Sequence, residues 1–244
     1  MQTEIKTAKV LIGIQARSNS TRFPQKIFEM LGKKMILQHV IDQANSAKMH
    51  IERSSKKANI KCEVAVLHPY NDVQIKTTFK NSSARLIEGD EQDLISRYLL
   101  ALNITGSDYV VRITSDCPLI MDYVISKHIN VAVLNDLDYV SNVEESCRVA
   151  ADGFDCEIIS RKALEWLDKN SLQSEREHVT PAIRRVRPQD LRQGFISFKL
   201  DTSNLKLSLD TKEDLEEIRK YYHNREHKMS LAIKAFGRKG VYEL

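Results

Sequence analysis

The sequence contains no apolar run long enough to cross a membrane, since no stretch approaches ~18 consecutive apolar residues. It also lacks the P-loop pattern, internal repeats and low-complexity segments. The first nine residues are polar and do not resemble a signal peptide. Its four cysteines form no C-x-x-C pair, which favours free thiols in a reducing compartment. We therefore expect a cytoplasmic protein that does not bind membranes.

Neither sign of charge is in large excess, with 37 basic and 33 acidic residues and a formal net charge of +4. This balance does not indicate a nucleic-acid partner, although local basic clusters could bind small anions. With 244 residues, of which 42% are hydrophobic, the chain can bury a large core. We expect one α/β domain over residues 1–244.

The most informative stretch begins with an apolar run, Val10 to Ile14, which predicts a buried parallel strand. Small polar residues follow it, together with the cations Arg17, Arg22 and Lys26. Ligands of open α/β sheets bind beyond the carboxyl ends of the strands, where backbone N–H groups and cations can hold a phosphate. On residue types alone, a phosphate site and an ordinary basic surface loop are equally favoured.

Helix and strand patterns alternate along the rest of the chain. Apolar spacing predicts helices over 34–48, 72–80, 90–104, 122–135, 161–168, 173–185, 212–222 and 228–244. Short apolar or alternating segments predict strands at 63–67, 84–87, 108–114, 138–140, 153–160, 193–200 and 205–209. Residues 49–61 are polar and basic, which indicates a surface loop. The alternation predicts a mostly parallel, twisted sheet with helices on both faces and a small β excursion over 138–205.

Two aspartates follow predicted strands. Asp116 comes after the strand 108–114, where a carboxylate would face the same crevice as the basic loop and could hold Mg²⁺ against phosphates. The alternative is a turn-forming residue, because Asp116 lies two positions before Pro118. Asp210 ends the predicted strand 205–209 in the same way.

A second pair of carboxylates lies at alternate positions of the predicted strand 153–160. Asp155 and Glu157 should therefore point to one face of that strand. Such a pair could bind hydroxyl or amine groups of a small molecule. The solvent-facing side of an edge strand would show the same pattern.

Several motifs together resemble those of the sugar-activating cytidylyltransferases. They are Ala16-Arg17-x-x-Ser20-Thr21-Arg22-x-Pro24-x-Lys26, VRITSDCPLI around Asp116, SLDTKEDLE around Asp210, and the patterns G-x-x-x-D-x-x-x-R-Y and E-R-E-H-V-T-P. The branch named for spore-coat polysaccharide biosynthesis protein F is the most similar, and CMP-ulosonate synthetases are more distant. Asn19, Gln25 and Ser115 stand where these motifs commonly have glycine.

The resemblance implies a Rossmann-like nucleotide-diphospho-sugar transferase fold and Mg²⁺-dependent transfer of CMP from CTP, with release of pyrophosphate. It implies that Arg17, Arg22 and Lys26 neutralise the phosphates and that Asp116 and Asp210 hold the metal. The implied nucleotide site consists of Ala16, Arg17, Ser20, Arg22, Lys26, Asp93, Arg97 and Asp116. Asp93 and Arg97 could instead be a helix-terminal acid and a helix-surface charge.

The implied acceptor site consists of Asp155, Glu157, Glu177 and His178. The segment around Glu177 and His178 could equally form a subunit contact, and the excursion 138–205 could build a homodimer. Sugar acids, phosphorylated polyols and phosphonates are all compatible acceptors for a role in cell-surface polysaccharide biosynthesis. We identify no general base. An already ionised acceptor would not need one, whereas a sugar hydroxyl would.

The resemblance also carries geometric expectations. If Asp116 and Asp210 hold one Mg²⁺, their oxygens should lie within about 5 Å of each other, because each Mg–O bond is ~2.1 Å. Without metal, repulsion should raise the pKa of one of them. Lys26 is expected to be an exposed, flexible side chain.

Two other functions remain open on the sequence alone. A glycosyltransferase would need a D-x-D-like motif after a strand, whereas Asp136-x-Asp138 precedes its predicted strand. A non-catalytic nucleotide-binding protein would be expected to have lost site residues, yet Lys26, Asp116 and Asp210 are all present.

Overall fold

The computed structural model describes residues 6–54, 58–144, 148–198, 201–223 and 242–243. The strands are β1 Lys6–Gln15, β2 Met30–Leu31, β3 Lys34–Met35, β4 Ala58–Pro69, β5 Arg85–Gly89, β6 Tyr109–Thr114, β7 Tyr139–Ser141, β8 Glu157–Ser160, β9 Gln193–Phe195 and β10 Tyr242–Glu243. The α-helices are α1 Ile36–Ser54, α2 Val73–Phe79, α3 Leu94–Thr105, α4 Asp122–Asn135, α5 Arg161–Asn170, α6 Pro181–Val186 and α7 Lys212–His223. Short 3₁₀ turns cover Lys26–Phe28 and Gln173–Glu175.

One mixed sheet runs through the described residues in the order β5-β4-β1-β6-β8-β7-β9-β10, and β2 and β3 form a separate small hairpin. The neighbours β5, β4, β1 and β6 are parallel, whereas β8 is antiparallel to both β6 and β7. At the end of β1, Gln15 lies beside Leu67 of β4 and Thr114 of β6. The carboxyl ends of three central strands therefore meet at one edge, which confirms the predicted α/β sheet.

Helices cover both faces of the sheet, because the residues of β1 point alternately to either side. Val10, Ile12 and Ile14 join an apolar core with α1 and α4. Leu11 joins a second core with α3, α5 and α6. Strands buried on both faces read as continuous apolar runs, which explains the pattern from Val10 to Ile14.

The surface loop predicted over 49–61 is wrong at both ends. Helix α1 continues to Ser54, and β4 begins at Ala58, while residues 55–57 lie outside the described ranges. Ile51 and Ile60 are both buried and belong to the first core. The exposed charges between these apolar positions concealed the continuation of the helical stripe.

Other predicted segments also differ from the structure. Residues 205–209 form no strand and make a single bridge, between Asp152 and Lys206. The predicted strands 153–160 and 193–200 shorten to β8 and β9, and 199–200 are not described. The helix predicted over 173–185 begins only at Pro181, because proline favours the first turn of a helix. The short helix predicted within 228–244 lies outside the described residues, apart from 242–243, which form β10.

Within the described ranges, none of the helices is both long enough and apolar enough to span a membrane.

The extended α1 gives a direct test of the fold. Ile51 is 1% exposed, so Ile51→Ala should lower the free energy of unfolding by about 2–4 kcal/mol, the usual cost of a buried truncation. Met49, two residues earlier, is 49% exposed, and Met49→Ala should change stability by less than about 0.5 kcal/mol. Urea unfolding of both variants measures the two changes in unfolding free energy. If both changes are equally small, residues 49–54 form a surface loop and not a buried part of α1.

Candidate active site

The loop after β1 is fixed by backbone hydrogen bonds at both ends. The Ala16 N–H donates to Leu67 O at 3.0 Å, and the Gln25 N–H donates to Ser18 O at 3.0 Å. The Ser18 N–H donates to the side chain of Asp72 at 2.9 Å, and the same carboxylate caps α2. The loop is therefore closed on itself and joined to a neighbouring helix, so it holds its cationic side chains at the carboxyl edge of the sheet.

Asn19, Gln25 and Ser115 stand where the family motifs commonly have glycine, and only one of these positions has unusual backbone geometry. Gln25 adopts a φ of 61°, in the left-handed region that glycine reaches without steric cost. Asn19 and Ser115 are absent from the residues with positive φ. A non-glycine residue in this region costs roughly 1–2 kcal/mol, so Gln25 stores strain at the point where the loop enters its 3₁₀ turn.

A cavity of about 240 Å³, which we call the loop cavity, opens beside this loop. It gathers most of the residues assigned to the nucleotide and the metal, namely Ala16, Arg17, Ser20, Arg22, Lys26, Arg97, Asp116 and Asp210. Glu177, which was assigned to the acceptor, also lines this cavity, and its carboxylate pairs with Arg17 at 3.3 Å. Glu177 therefore lies in the loop cavity with the residues assigned to the nucleotide, and not with the other residues assigned to the acceptor.

Lys26 lies at the centre of the loop cavity and is only 8% exposed, so the expectation of an exposed, flexible lysine is wrong. Its ammonium donates to Asp116 Oδ2 at 2.6 Å and to Asp210 Oδ1 at 3.1 Å. It also donates to the backbone carbonyl of Leu209. One cation thereby joins the first loop, the end of β6 and the segment before α7.

An apolar cluster connects the loop after β1 to α7. Phe23 of the loop and Leu209 belong to one buried apolar cluster with Leu215 and Ile218 of α7. The Leu209 N–H also donates to Asp116 O at 2.8 Å. These contacts bring Asp210 beside Asp116, although the segment 205–209 does not join the sheet as a strand.

The electrostatics of Asp210 differ from the expected repulsion. Burial alone would raise the pKa of this carboxyl, but the hydrogen bond and charge of Lys26, with the charges of Arg22 and Lys206, outweigh burial and lower it. Arg22 lies 2.8 Å from Asp210 and Lys206 lies 3.4 Å from it. The predicted rise in pKa is therefore wrong for Asp210, because cations surround it.

The two aspartates have the donor chemistry that a divalent cation requires. Asp116 Oδ2 lies 2.6 Å and Asp210 Oδ1 lies 3.1 Å from the same Lys26 nitrogen. The two oxygens can therefore be no farther apart than the sum of these two distances. Mg²⁺ commonly uses one or two carboxylates and takes its other ligands from phosphates and water. Among the described residues, no group of three or more His, Cys, Asp or Glu side chains is arranged to hold a metal ion.

Asp93 and Arg97, the other predicted nucleotide residues, already have partners in the protein. Asp93 caps α3 by accepting from the Ser96 N–H at 3.0 Å and pairs with Arg176 at 2.8 Å; it does not line the loop cavity. Arg97 is 2% exposed and donates from Nε to Asp90 O at 2.7 Å. Its burial excludes a surface charge and lowers its pKa. A direct nucleotide role for both residues stays a prediction.

A larger cavity of about 630 Å³ lies across the carboxyl edge of the sheet. We call it the arginine cavity, because its polar lining includes Arg112, Glu144, Arg148, Asp155, Glu157, His178, Thr180, Arg184 and Arg185. It brings together Asp155, Glu157 and His178, three of the four residues predicted to bind the acceptor. The sequence analysis did not assign any of these arginines to the site. In the pairing of β6 with β8, Arg112 lies directly opposite Glu157.

Glu157 cannot serve as the freely accessible ligand that the sequence suggested, since it is only 1% exposed. It accepts from Arg112 at 2.7 Å and Arg184 at 3.1 Å, and from the hydroxyls of Tyr139 and Thr180. Burial would raise its pKa, but the charges of Arg112 and Arg184 outweigh burial and lower it. Glu157 therefore positions two guanidinium groups at the cavity.

A strained residue helps to shape this wall. Val179 is fully buried and has a φ of 68°, which is unusual for a β-branched side chain. It lies between His178, which lines the arginine cavity, and Thr180, which donates to Glu157 at 2.8 Å. Backbone strain of this kind persists only where surrounding contacts enforce it, here at the turn before α6.

A third cavity, of about 220 Å³, joins the other two, and we call it the bridging cavity. It shares Thr114, Asp116 and Asp210 with the loop cavity. It shares Arg112 and Asp155 with the arginine cavity. The lining is therefore continuous from the Lys26 cluster to the paired arginines.

The Lys26 cluster predicts a pH-dependent stability difference. Lys26→Met leaves two partly buried carboxylates without their shared cation, so it should cost about 3 kcal/mol of unfolding free energy at pH 7. Because the folded pKa of Asp210 is lowered, its stabilisation is present above the ordinary aspartate pKa and is lost as pH falls through the lowered value. The difference between wild type and variant should therefore shrink below about pH 4.

Lys34→Met provides the matched control, since Lys34 is half exposed and pairs with Asp42 on the surface. It should change stability by at most about 1 kcal/mol at any pH. Chemical unfolding from pH 3 to 8 measures both variants. A Lys26→Met cost as small as that of Lys34→Met would contradict the central position of Lys26.

The chain matches the sequence profile of the family described as Cytidylyltransferase over residues 11–235. A curated relative, spore coat polysaccharide biosynthesis protein SpsF of Bacillus subtilis (strain 168), is 24% identical over 87% of this chain and 86% of its own. The solved structure of a cytidylyltransferase from Leptospira borgpetersenii serovar Hardjo-bovis (strain JB197) is 26% identical. It covers 98% of this chain and 100% of its own, with a TM-score of 0.74.

A more distant structure shares the fold at 13% identity. It is CMP:2-keto-3-deoxy-manno-octonic acid synthetase in complex with CTP, with a TM-score of 0.63 over 90% of this chain and 99% of that chain. The family profile covers most of the sequence and includes the loop, the Asp116 segment and the Asp210 segment. The chain therefore belongs to the cytidylyltransferase family of nucleotidyltransferases.

Proposed function

We propose that this protein transfers CMP from CTP to an anionic acceptor and releases pyrophosphate, with Mg²⁺ as cofactor. The observation that carries the proposal is the continuous lining between the Lys26 cluster and the arginine cavity. The name of the SpsF relative supports a role in cell-surface polysaccharide biosynthesis. Free buried thiols at Cys62, Cys117 and Cys156 agree with a cytoplasmic location.

The loop cavity is suited to the triphosphate of the donor. Arg17 and Arg22 are largely exposed and so can turn toward phosphate oxygens, while Lys26 is fixed beneath them. Arginine binds phosphate through paired N–H groups, and lysine acts as a compact point charge. The choice of CTP follows from family membership and from the CTP complex of the distant relative.

The metal would be held by Asp116 and Asp210, whose oxygens share one ammonium. When bound, Mg²⁺ supplies positive charge that neutralises the phosphates of the donor. Lys26 would then share its two carboxylate partners with the cation, and Leu209 O would remain its third acceptor.

The arginine cavity is suited to an acceptor that carries a negative charge. Arg112 and Arg184 share the single carboxylate of Glu157, whereas Arg148 has Asp155 and Arg185 has Glu175. One partly buried guanidinium charge is therefore left without its own counter-ion, and such a charge is costly unless it is paired. A carboxylate, phosphate or phosphonate of the acceptor would pair with it, so sugar acids, phosphorylated polyols and phosphonates all fit.

The reaction follows from these positions. An acceptor oxygen reaches through the bridging cavity, attacks the α-phosphorus, and pyrophosphate leaves. Negative charge gathers on the phosphates during this step, so catalysis consists mainly of holding the two substrates together and stabilising that charge. Arg17, Arg22 and Lys26 are the catalytic cations in this proposal.

The alternatives weighed on the sequence have less support. Membership of the cytidylyltransferase family favours transfer of a nucleotidyl group over transfer of a sugar from a nucleotide sugar. An intact Lys26–Asp116–Asp210 cluster argues against a non-catalytic nucleotide-binding protein. The homodimer, and the role of residues 138–205 within one domain of 1–244, stay predictions.

A substrate panel tests the proposal. CTP, ATP, GTP and UTP are each incubated with Mg²⁺ and with sugar acids, phosphorylated polyols, phosphonates or neutral sugars, and released pyrophosphate is measured. We expect release with CTP and an anionic acceptor only. Equal release with all four nucleotides would reject CTP as the donor, and equal use of neutral sugars would reject the anionic acceptor.

The same assay locates the acceptor. Arg184→Met should raise the KM for the acceptor by more than tenfold, while the KM for CTP should change less than twofold. The reason is that Arg184 lines the arginine cavity but neither of the other two cavities. Arg53→Met, at an exposed position of α1, is the control and should leave both constants unchanged. Equal changes in both constants would count against the arginine cavity as the acceptor site.

A further inference from the structure

Asp155 occupies a position that no other described carboxylate has. It lines both the arginine cavity and the bridging cavity, whereas Glu144 and Glu157 line only the first, and Asp116, Asp152 and Asp210 do not reach it. Its side chain is 31% exposed, so a bound molecule can reach its oxygens. Asp155 therefore lies where an acceptor would pass toward the α-phosphorus.

The contacts of Asp155 hold one carboxylate oxygen in place and leave the other available. Oδ1 accepts from Arg148 Nη2 at 2.5 Å, and Arg148 is itself held by Ala150 O at 3.2 Å. Within the described ranges, Oδ2 receives no hydrogen bond from the protein. One oxygen is thus anchored and the other is available to a substrate hydroxyl, unlike Glu157 with its four donors.

The surroundings also make this carboxylate more basic than an ordinary aspartate. Burial raises the pKa of Asp155 to about 6, the charge and hydrogen bond of Arg148 oppose this rise, and Asp152 and Glu157 add to it. The other charged groups that share its cavities are Arg112, Asp116, Asp210, Glu144, His178, Arg184 and Arg185. A base works best when its pKa lies near the working pH, because it is then both ionised and basic.

The other carboxylates near the acceptor are less suitable as bases. Asp116 and Asp210 both bind Lys26, and Glu157 is only 1% exposed and already accepts hydrogen bonds from four donors. Asp152 lines the bridging cavity only. His178 lines the arginine cavity only, away from the phosphate side.

We propose that Asp155 is the general base of the reaction and that the acceptor attacks through a hydroxyl group. As the bond between the hydroxyl oxygen and the α-phosphorus forms, Asp155 Oδ2 takes the hydroxyl proton. The bond from the α-phosphorus to the bridging oxygen breaks, and its electron pair leaves with pyrophosphate. Asp155 then returns the proton to solvent. This inference rests on the proposed function, and it selects a hydroxyl nucleophile over an already ionised phosphate or phosphonate oxygen.

The test uses the full-length protein, CTP, Mg²⁺ and whichever acceptor the pyrophosphate panel identifies. For wild type, kcat should rise with pH through a limb near pH 6, since the base works only when ionised. Asp155→Asn keeps the size and one acceptor oxygen of the side chain, so it should still bind Arg148. It should lower kcat by about 100-fold or more, remove the limb, and change the KM for CTP less than twofold.

Arg148→Met gives an independent signature, because it leaves the base in place. Arg148 lowers the pKa of Asp155, so its loss should move the limb of kcat to higher pH. This shift decides the question even if Asp155→Asn fails to fold. Asp190→Asn, at an exposed position outside the three cavities, is the control and should retain the wild-type profile.

The outcomes separate the inference from the function on which it rests. If wild type releases no pyrophosphate with any acceptor, the proposed function fails and the inference falls with it. If wild type is active but Asp155→Asn keeps kcat within threefold, only the inference is overturned. An unmoved limb in Arg148→Met would overturn it as well, since a purely structural role predicts no shift.

Discussion

The ammonium of Lys26, shared among three oxygens, is the interaction on which the site depends. Asp116 and Asp210 are far apart in the sequence and would repel each other at the edge of the sheet. Lys26 lies between them, and its own backbone belongs to a third segment, the loop after β1. Because the ammonium also binds Leu209 O, it fixes the main chain of the segment that carries Asp210. The loop after β1 and the two carboxylates are therefore positioned by one buried ammonium.

The opposite arrangement occurs in the arginine cavity, the proposed acceptor site. Around Lys26, a single buried cation serves two carboxylates, whereas around Glu157 a single buried carboxylate serves Arg112 and Arg184. The two carboxylates beside Lys26 have the ligand chemistry that suits a metal cation, and the unmatched guanidinium charge beside Glu157 suits an anionic substrate. The bridging cavity, with Asp155 in its lining, connects the two. In the proposed function, a metal cation would bind at the carboxylates beside Lys26 and an anionic acceptor at the arginines beside Glu157.

Local patterns predicted the sheet well because its strands are buried on both faces. The run from Val10 to Ile14 and the helix 122–135 could be identified from apolar spacing alone. Motif likeness also gathered Lys26, Asp116 and Asp210 correctly into one cavity. Alternation of helix and strand predicts parallel neighbours, and parallel strands place their carboxyl ends at the same edge of the sheet.

Long-range contacts explain what the sequence could not predict. Lys26 is buried and donates to Asp116, Leu209 O and Asp210, and nothing near Lys26 in the sequence indicates these partners. Arg112 appears as one residue of a strand, and only its register against Glu157 reveals an ion pair. The segment 205–209 has strand-like alternation, yet it forms no strand and makes one bridge, between Asp152 and Lys206. In each case the decisive partner is distant in the sequence.

The central claim is that Asp116 and Asp210 act as one cation site with Lys26 between them. Mn²⁺ affinity in the presence of CTP, measured by electron paramagnetic resonance, tests it for Asp116→Asn, Asp210→Asn and the double variant. If the two carboxylates hold one ion, each single change should weaken Mn²⁺ binding more than tenfold, and the double variant should be at most about threefold weaker than the worse single variant. Losses that multiply in the double variant would show two independent sites and contradict the account.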